Sequence, residues 1–289
     1  MNNIIVMYHY VRDGGDLRAF GIDRFRRQVT ALKERYEILT LTEMLDYRGA
    51  RPTCVLTFDD GVRDAVEGAL PVLRELKAKA VFFIPTAILE ERRVVNVQKR
   101  HLLLAEIGAE RLVEELNPLL PEVLRIRADP AFKADYLDDL LTCSMKWMLD
   151  CADHEIINPV LSQVFARYFP DEGAVFDRLY LSRGDMAILQ EEGMEIGVHG
   201  HLHRQLGRLY FTDQVRELDH ATALVRPVIG DRPLYMSYPS GSYNPLTTRV
   251  LTSLGYRAAV TVNKHPNDSA TPRMELGRFD CVDAVIPGL

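Results

Sequence analysis

Short apolar segments alternate with amphipathic stretches at both ends of the chain. We predict a buried strand where a short apolar run is closed by polar residues or proline, and a helix where apolar residues recur every three or four positions. The predicted strands are Ile4–Tyr8, Val55–Phe58, Ala80–Ile84, Glu195–Val198, Leu234–Tyr238, Ala258–Val262 and Phe279–Val282. Because helical stretches separate these strands, the pattern predicts an α/β fold with a parallel sheet or barrel and outer helices.

Apolar stripes and capping residues mark the helices between the strands. The predicted apolar faces consist of Ile22, Phe25, Val29 and Leu32; of Leu70, Leu73 and Leu76; and of Val215, Leu218, Thr222 and Val225. Thr40 with Glu43 and Ser182 with Asp185 have the spacing of a capping box. Asn244 before Pro245 is typical of a helix start, with an N-cap residue and proline in the first turn.

The segment 90–180 has a different pattern, with few strand signals. It contains three amphipathic helical stretches: Leu102–Leu116, Tyr136–Leu149 and Ile156–Phe169. We therefore predict a mainly helical insertion, 90–180, in an α/β domain formed by residues 1–89 and 181–289. The insertion could cover a site beside the barrel mouth, bind substrate, form a homodimer surface or simply add a packing layer.

Composition narrows the classes of partner. The chain has 289 residues, 47% of them hydrophobic, and a formal net charge of -6, which argues against nucleic acid as the main partner. No apolar stretch is long enough to span a bilayer. The amino terminus lacks the pattern of a signal peptide, and the four cysteines lack disulfide-framework or zinc-knuckle spacing, so we expect a cytoplasmic protein with reduced thiols.

Candidate chemistry lies where two predicted strands end. Asp59 and Asp60 follow the first of these strands, and burying two unpaired carboxylates there would be costly. His199 and His203 follow the other, and on a helical turn this spacing would place both imidazoles on one side. The combination favours a metal hydrolase in which Asp60, His199 and His203 bind the ion and Asp59 is the general base.

These residues resemble the motifs of a known family. The run Thr57-Phe58-Asp59-Asp60-Gly61 is similar to the first motif of the polysaccharide deacetylases, also called carbohydrate esterase family 4 or the NodB-homology group. The segment from Glu195 to His203 resembles the second motif, and Ser237–Asn244 the third. The opening Met7-Tyr8-His9 is also similar to the first strand of the family. The resemblance covers roughly residues 1–88 and 180–283.

The resemblance implies a fold, a reaction and roles for individual residues. The fold would be a distorted, incomplete (β/α) barrel of the NodB-homology type, with its site at the carboxyl ends of the strands. The reaction would remove an N-acetyl or similar acyl group from a sugar. The resemblance assigns the metal ligands Asp60, His199 and His203, the base Asp59, and an oxyanion-stabilising backbone N–H at Tyr238. The metal would be one divalent ion, zinc before cobalt, nickel or iron.

Three features depart from the family pattern. Asp60 and His199 are 139 residues apart, much farther than in compact members of the family. The late Leu-x-His motif that carries the usual acid is absent, and Leu276-Gly277-Arg278 stands there instead. The arginine that usually orients the base is also displaced, so Arg278 or Arg232 is the candidate for that role. The leaving amine needs a proton donor, and His9 ranks ahead of His201 and His265. We expect His201 to be a solvent-facing neighbour of the ligands.

Together these features predict a cytoplasmic metal-dependent carbohydrate N-deacetylase. The expected substrate is a small sugar, a nucleotide-linked sugar or a lipid-linked glycan precursor. Two alternatives stay open: hydrolysis of another C–N bond, such as a formamide or ureide, and a catalytically inactive sugar-binding protein. The intact carboxylate and histidine sets argue against the inactive protein, whereas the missing Leu-x-His argues for it.

Overall fold

The computed structural model describes residues 3–14, 19–131 and 138–283. The chain forms two compact units, one from residues 1–91 and 177–289 and the other from residues 92–176. The sequence pattern predicts the divisions at 89/90 and 180/181. We call the first the barrel unit and the second the helical unit.

The barrel unit is built on an eight-stranded parallel sheet. Its strands are β1 (Ile4–Tyr8), β2 (Glu37–Ile38), β3 (Thr53–Phe58), β4 (Ala80–Ile84), β5 (Glu195–Val198), β6 (Leu234–Ser237), β7 (Tyr256–Val260) and β8 (Phe279–Asp280). Along the sheet the order is β7-β6-β5-β4-β3-β1-β8, and β2 pairs with the start of β3. The predicted strands all occur, whereas the two-residue β2 is too short to give a sequence signal.

Successive residues of each strand point to opposite faces of the sheet. On one face Val55, Val81, Phe83, Tyr235 and Val260 form a buried hydrophobic core. The other face carries the aromatic cluster that Tyr8, Phe58 and Phe82 form with Phe25 of the first helix. This alternation determines which residues project on the core-facing side of the sheet at the carboxyl ends of the strands.

The segment 276–280 is bonded to both edges of the sheet. The N–H of Leu276 donates to the carbonyl oxygen of Ala259 in β7 at 3.0 Å. Two residues later the chain enters β8, which pairs with β1 through Phe279 and Asp280. The sheet is therefore an incomplete parallel barrel in which a short segment bridges the open side, as the sequence-based fold class expects.

The helices of the barrel unit lie between the strands in sequence. They are α1 (Ile22–Arg35), α2 (Leu41–Asp46), α3 (Leu70–Glu75), α8 (Arg183–Glu191), α9 (Phe211–Ile229) and α10 (Pro245–Ser253), and a π-helical turn (Ala65–Ala69) precedes α3. Side-chain caps are present at Thr40, Ser182 and Asn244, as their spacing predicts. In the described part of the chain, no helix is long and apolar enough to cross a membrane.

The buried face of α9 differs from the predicted one. Val215 and Thr222 are only half-buried, whereas the polar residues Gln214 and Glu217 are buried beside Leu218. Gln214 accepts a hydrogen bond from Thr247, and Glu217 accepts one from the backbone N–H of His201. Burial of these polar groups is stabilised by their partners, so the apolar stripe alone predicts the wrong edge of the helix.

The described residues of the helical unit contain helices and no strand. The helices are α4 (Asn96–Leu116), α5 (Leu140–Cys151), α6 (His154–Tyr168) and the start of α7 (Glu172–Leu179). Helix α4 packs against α5 and α6, and its buried Lys99 pairs with Glu172 at 3.0 Å. The predicted start of the second helical stretch at Tyr136 lies outside the described residues.

Candidate metal centre and catalytic residues

Four polar residues continue the core-facing rows of the sheet at its carboxyl edge. They are His9 after β1, Asp59 after β3, His199 after β5 and Ser237 at the end of β6. The parallel register pairs Tyr8 with Phe58 and Val198 with Met236, so the residues that follow are neighbours across the sheet. Because parallel strands end at one edge, residues distant in sequence meet there.

Asp60, in the turn after β3, has a left-handed backbone conformation. Its φ is 71°, and the next residue, Gly61, has a φ of 64°. Such angles are unfavourable for a residue with a Cβ atom and are found at sites where the surrounding structure enforces them. The turn gives Asp59 and Asp60 different neighbours although they are adjacent in sequence.

His199 and His203 approach each other through an irregular loop and not through the helical turn that their spacing suggested. Residues 199–203 form no helix, and the backbone turns at Gly200, with a φ of 72°, and at His203, with a φ of 56°. Buried Glu217 accepts hydrogen bonds from the N–H groups of His201 and Leu202 at 3.0 and 2.7 Å. We call residues 199–203 the histidine loop.

Asp60, His199 and His203 are spaced as ligands of one ion. Asp60 Oδ1 lies 3.5 Å from Nε2 of both histidines. Two ligands about 2.1 Å from a tetrahedral zinc ion would be separated by about 3.4 Å. Among the described residues, this buried Oδ1 has no hydrogen-bond partner. A buried carboxylate oxygen without a donor is costly, and a cation would satisfy it.

The orientation of His199 fits a metal ligand. Its Nδ1 lies 2.8 Å from the carbonyl oxygen of Ser237 and, as the N–H tautomer, donates to it. The lone pair of Nε2 is then directed to Asp60. Burial lowers the pKa of His199, so the neutral imidazole that binds metal ions is favoured.

Asp59 is held by an arginine from the segment that bridges the sheet edges. Arg278 Nη1 donates to Asp59 Oδ1 at 3.0 Å, and Arg278 Nη2 donates to Asp59 Oδ2 at 2.9 Å. Arg278 Nε donates to the carbonyl oxygen of Thr261 at 2.8 Å, which fixes the guanidinium plane. Both side chains are fully buried. Of the two candidates for the orienting role, Arg278 is the one that contacts Asp59, whereas Arg232 bonds to Gln190.

Ser237 completes the contacts of Asp59. Its Oγ donates to Asp59 Oδ2 at 3.0 Å and accepts from Arg278 Nη2 at 3.0 Å. Burial alone would raise the pKa of Asp59, but the Arg278 guanidinium outweighs it and holds that pKa well below its usual value. The carboxylate therefore stays ionised, and one lone-pair direction of Oδ1 is left for a further donor.

The sequence motifs did not identify Ser237 as a contact of Asp59. Ser237 is the first residue of the segment that resembles the third motif, but a serine at a strand end does not by itself indicate a function. Its core-facing position in β6, two residues after Tyr235 of the core, would have placed it at the site edge.

The candidate acids occupy different places. His9 follows β1 at the carboxyl edge of the sheet, next to Asp59, which follows β3. His201 is not the solvent-facing neighbour that the sequence suggested, because only 14% of its side chain is exposed. The ring of His265 lies over Gly277, and its Nδ1 is 3.0 Å from the carbonyl oxygen of Pro266.

The backbone N–H of Tyr238 does not fit the expected oxyanion role. It donates to the carbonyl oxygen of Val260 at 3.2 Å and so extends the pairing of β6 with β7. The tyrosine ring is buried, stacks on Tyr243 at 4.5 Å, and its hydroxyl donates to the carbonyl oxygen of Met274. The N–H of Tyr238 is therefore engaged in the sheet, and its side chain is part of the packing around Tyr243 and Met274.

Solved structures share this fold. The Streptococcus pyogenes deacetylase PplD in complex with acetate is 18% identical, with a TM-score of 0.60 over 97% of this chain and 92% of that one. IcaB from Ammonifex degensii is 15% identical, with a TM-score of 0.56 over 99% of this chain and 92% of that one. A de-N-acetylase from Aggregatibacter actinomycetemcomitans is 13% identical, with a TM-score of 0.60 over 96% and 94%.

The sequence itself also matches a family model. No curated protein matches the chain significantly. The model described as polysaccharide deacetylase, however, matches residues 46–116 and 176–259, which is more than half of the chain. These ranges contain Asp59, Asp60, His199, His203 and Ser237. The chain therefore belongs to the polysaccharide deacetylase family.

Proposed function

We propose that the protein is a metal-dependent hydrolase that removes an N-acetyl or similar acyl group from an amino sugar or glycan precursor. One observation carries the metal dependence. The buried Asp60 Oδ1 has no hydrogen-bond partner among the described residues, yet it lies 3.5 Å from Nε2 of His199 and of His203. Membership of the polysaccharide deacetylase family supports a carbohydrate amide as the bond that is broken.

The residues around Asp59 support hydrolysis by general-base catalysis. A divalent ion held by Asp60, His199 and His203 would supply a Lewis acid that polarises the amide carbonyl and activates water. Asp59 would take the proton from the attacking water, because it is ionised and has a lone pair left on Oδ1. Arg278 and Ser237 fix the carboxylate through three hydrogen bonds, so little reorientation is needed when the proton moves.

Departure of the amine requires a proton on its nitrogen as the C–N bond breaks. Asp59 could return the proton that it gained, or His9 could donate one of its own. We assign this step to His9, because it follows β1 at the same edge of the sheet and its charge influences both Asp59 and His199. Replacement His9→Gln should then lower turnover while leaving metal content unchanged, and equal turnover would return the step to Asp59.

Metal dependence can be tested directly. One carboxylate and two imidazoles suit zinc, cobalt, nickel or iron, and we propose zinc. The protein should lose acetate release after complete removal of metal by a chelator and regain it with one equivalent of Zn²⁺. Undiminished acetate release from protein shown to be metal-free by elemental analysis would contradict the proposal.

The substrate class needs a panel of acylated compounds. We expect acetate from monomeric, nucleotide-linked or lipid-linked N-acetyl amino sugars, and faster turnover on these than on long chitin-like chains. The preference for small substrates rests on the expectation that the helical insertion narrows the groove that binds the sugar. That expectation stays a prediction, as do a homodimer through the insertion and the cytoplasmic location. Hydrolysis of formamides or ureides, but not of acetylated sugars, would favour the alternative in which the enzyme cleaves another C–N bond. No hydrolysis of any compound in the panel would favour the catalytically inactive sugar-binding protein.

A further inference from the structure

A second group of one carboxylate and two imidazoles lies in the barrel unit. It consists of Glu90, His201 and His220, whose candidate ligand atoms all lie within 4.8 Å of one another. Glu90 follows the 3-10 turn (Thr86–Leu89) after β4, His201 belongs to the histidine loop, and His220 lies in α9. These atoms are separate from those of the Asp60 centre, and the roles proposed above leave them unused.

The three side chains point toward a common position. Glu90 Oε2 is 2.8 Å from His220 Nε2 and 3.8 Å from His201 Nε2. The two imidazole rings are 4.4 Å apart between centroids and nearly perpendicular. About 3.4 Å would separate neighbouring ligands of a tetrahedral zinc ion. Small shifts of Glu90 and His220, which are both more than 40% exposed, would reach that spacing.

His201 is oriented from its other side. Its Nδ1 lies 3.2 Å from Oγ1 of the fully buried Thr86, so Nε2 is the nitrogen that faces Glu90. A hydrogen bond to the second ring nitrogen is the usual device that fixes the tautomer and direction of a metal-binding histidine. The Nε2 of His201 is therefore held toward Glu90, beside the ring of His220.

The backbone segments that carry the three residues are fastened to one another. Thr86 N–H donates to the carbonyl oxygen of Gly200 at 2.9 Å, and Ala87 N–H donates to that of His201 at 3.1 Å. Glu217, one turn before His220 in α9, accepts from the N–H of His201. The positions of the three side chains are therefore set by the fold and not by chance contact between mobile loops.

We propose that Glu90, His201 and His220 form a second binding site for a divalent transition-metal ion of the zinc type. Two imidazoles and a carboxylate are ligands that such ions prefer, and solvent at this exposed site would complete the coordination. The ion would connect the turn after β4 and helix α9 to the histidine loop. Since that loop also carries His199 and His203, this site would stabilise the loop without taking part in the reaction.

Zinc binding by the intact, metal-free protein tests the site. Equilibrium dialysis against Zn²⁺, followed by elemental analysis, should give two ions per chain for the wild type and one for His220→Ala or Asp60→Ala. Removal of a direct ligand should weaken binding at its own site by at least about 100-fold, the upper range for loss of a supporting hydrogen bond. Asp219→Ala, which removes an exposed neighbour of His220 in the same helix, is the matched control and should still bind two ions.

A second variant keeps the test independent of any effect on folding. Thr86→Val retains the size of the buried side chain but removes the hydrogen bond to His201 Nδ1. It should weaken the second site by about 10–100-fold and leave the Asp60 site unchanged. Equal Zn²⁺ uptake by the wild type and by folded His220→Ala would overturn the proposal, and would show that Glu90 and His220 form a surface ion pair. One ion per wild-type chain would overturn it as well.

Discussion

The histidine loop contributes histidines to two clusters, each of one carboxylate and two imidazoles, that differ in burial. Asp60, His199 and His203 are almost enclosed, and the Asp60 Oδ1 between the imidazoles has no donor among the described residues. In the other cluster Glu90 is exposed and already hydrogen-bonded to His220 at 2.8 Å. The residue types in a cluster therefore do not by themselves indicate how strongly it would bind an ion.

Burial decides the difference between the two clusters. An enclosed carboxylate oxygen with no donor leaves an uncompensated charge, which gives a cation a large advantage. The exposed Glu90 is stabilised by water as well as by His220, so an ion there must displace favourable contacts. We therefore expect tight binding and chemistry at the Asp60 centre, and weaker, structural binding at the Glu90 centre.

The largest contrast should come from removing the carboxylate of each cluster. Asp60→Ala should abolish tight metal binding and lower acetate release by more than about 10⁴-fold, the upper range for loss of a general base, because Lewis-acid activation is lost. Glu90→Ala should leave turnover nearly unchanged. Metal content and steady-state rates of the two variants, measured side by side, check the contrast, and equal loss in both would contradict the separate roles.

Within the buried centre, Asp59 and Asp60 should be separable. Asp59→Asn should retain the metal ion and lower kcat by about 10²–10⁴-fold, because the amide cannot accept the proton from water. Circular dichroism and metal analysis would establish that the variant is folded and loaded. Near-normal turnover would assign the base to another group.

The Arg278 contact should be visible in stability. In Arg278→Met the buried Asp59 loses its countercharge, and we expect the free energy of unfolding of the metal-free protein to fall by about 3–5 kcal/mol near neutral pH. The depressed pKa of Asp59 stabilises the wild type above the ordinary carboxyl pKa, and this contribution disappears as the pH falls through the folded-state pKa.

The variant lacks this contribution, so its deficit should shrink on acidification below about pH 4 as Asp59 becomes protonated. Urea unfolding at a series of pH values measures the difference. The double variant Asp59→Asn/Arg278→Met is the control, because it has no buried charge to compensate. A deficit that does not depend on pH would indicate lost packing and not a lost ion pair.

Glu217 should affect both clusters because it holds the loop between them. Glu217→Ala leaves the N–H groups of His201 and Leu202 without their acceptor, and should lower the free energy of unfolding by about 1–3 kcal/mol. Zn²⁺ affinity should decrease at both sites. Glu217→Gln keeps a carbonyl oxygen as acceptor, so its stability and Zn²⁺ affinity should fall less. A loss of affinity at one site alone would contradict the proposal that the loop supports both sites.

The smallest effect is expected at His220. His220→Ala changes a side chain that is 46% exposed, so deacetylation by protein loaded at the Asp60 centre should stay within about twofold of the wild type. Saturating substrate and one equivalent of Zn²⁺ are the suitable conditions. A tenfold fall in kcat would place the second cluster in the reaction.

The sequence by itself determined most elements of the barrel unit. Strand positions follow from runs of apolar residues bounded by polar residues, and helix starts follow from caps such as Thr40 and Asn244. The pairing of Asp59 and Asp60 with the histidines followed from their places at strand ends, because parallel strands end at one edge. The positions of the strands and helices depend on residues close together in sequence, where local preferences act in the same direction.

Only the tertiary structure decided the contacts between distant segments. The bidentate bond of Arg278 to Asp59, the use of the Tyr238 N–H in the sheet, and the polar buried edge of α9 all depend on groups more than ten residues away. The histidine loop has a positive φ at Gly200, which glycine adopts readily, and at His203, where local preference disfavours it. The N–H groups between these two residues bond to Glu217 of the distant helix α9. A sequence pattern records which residues prefer burial, but the partner that compensates a buried polar group is chosen by the fold.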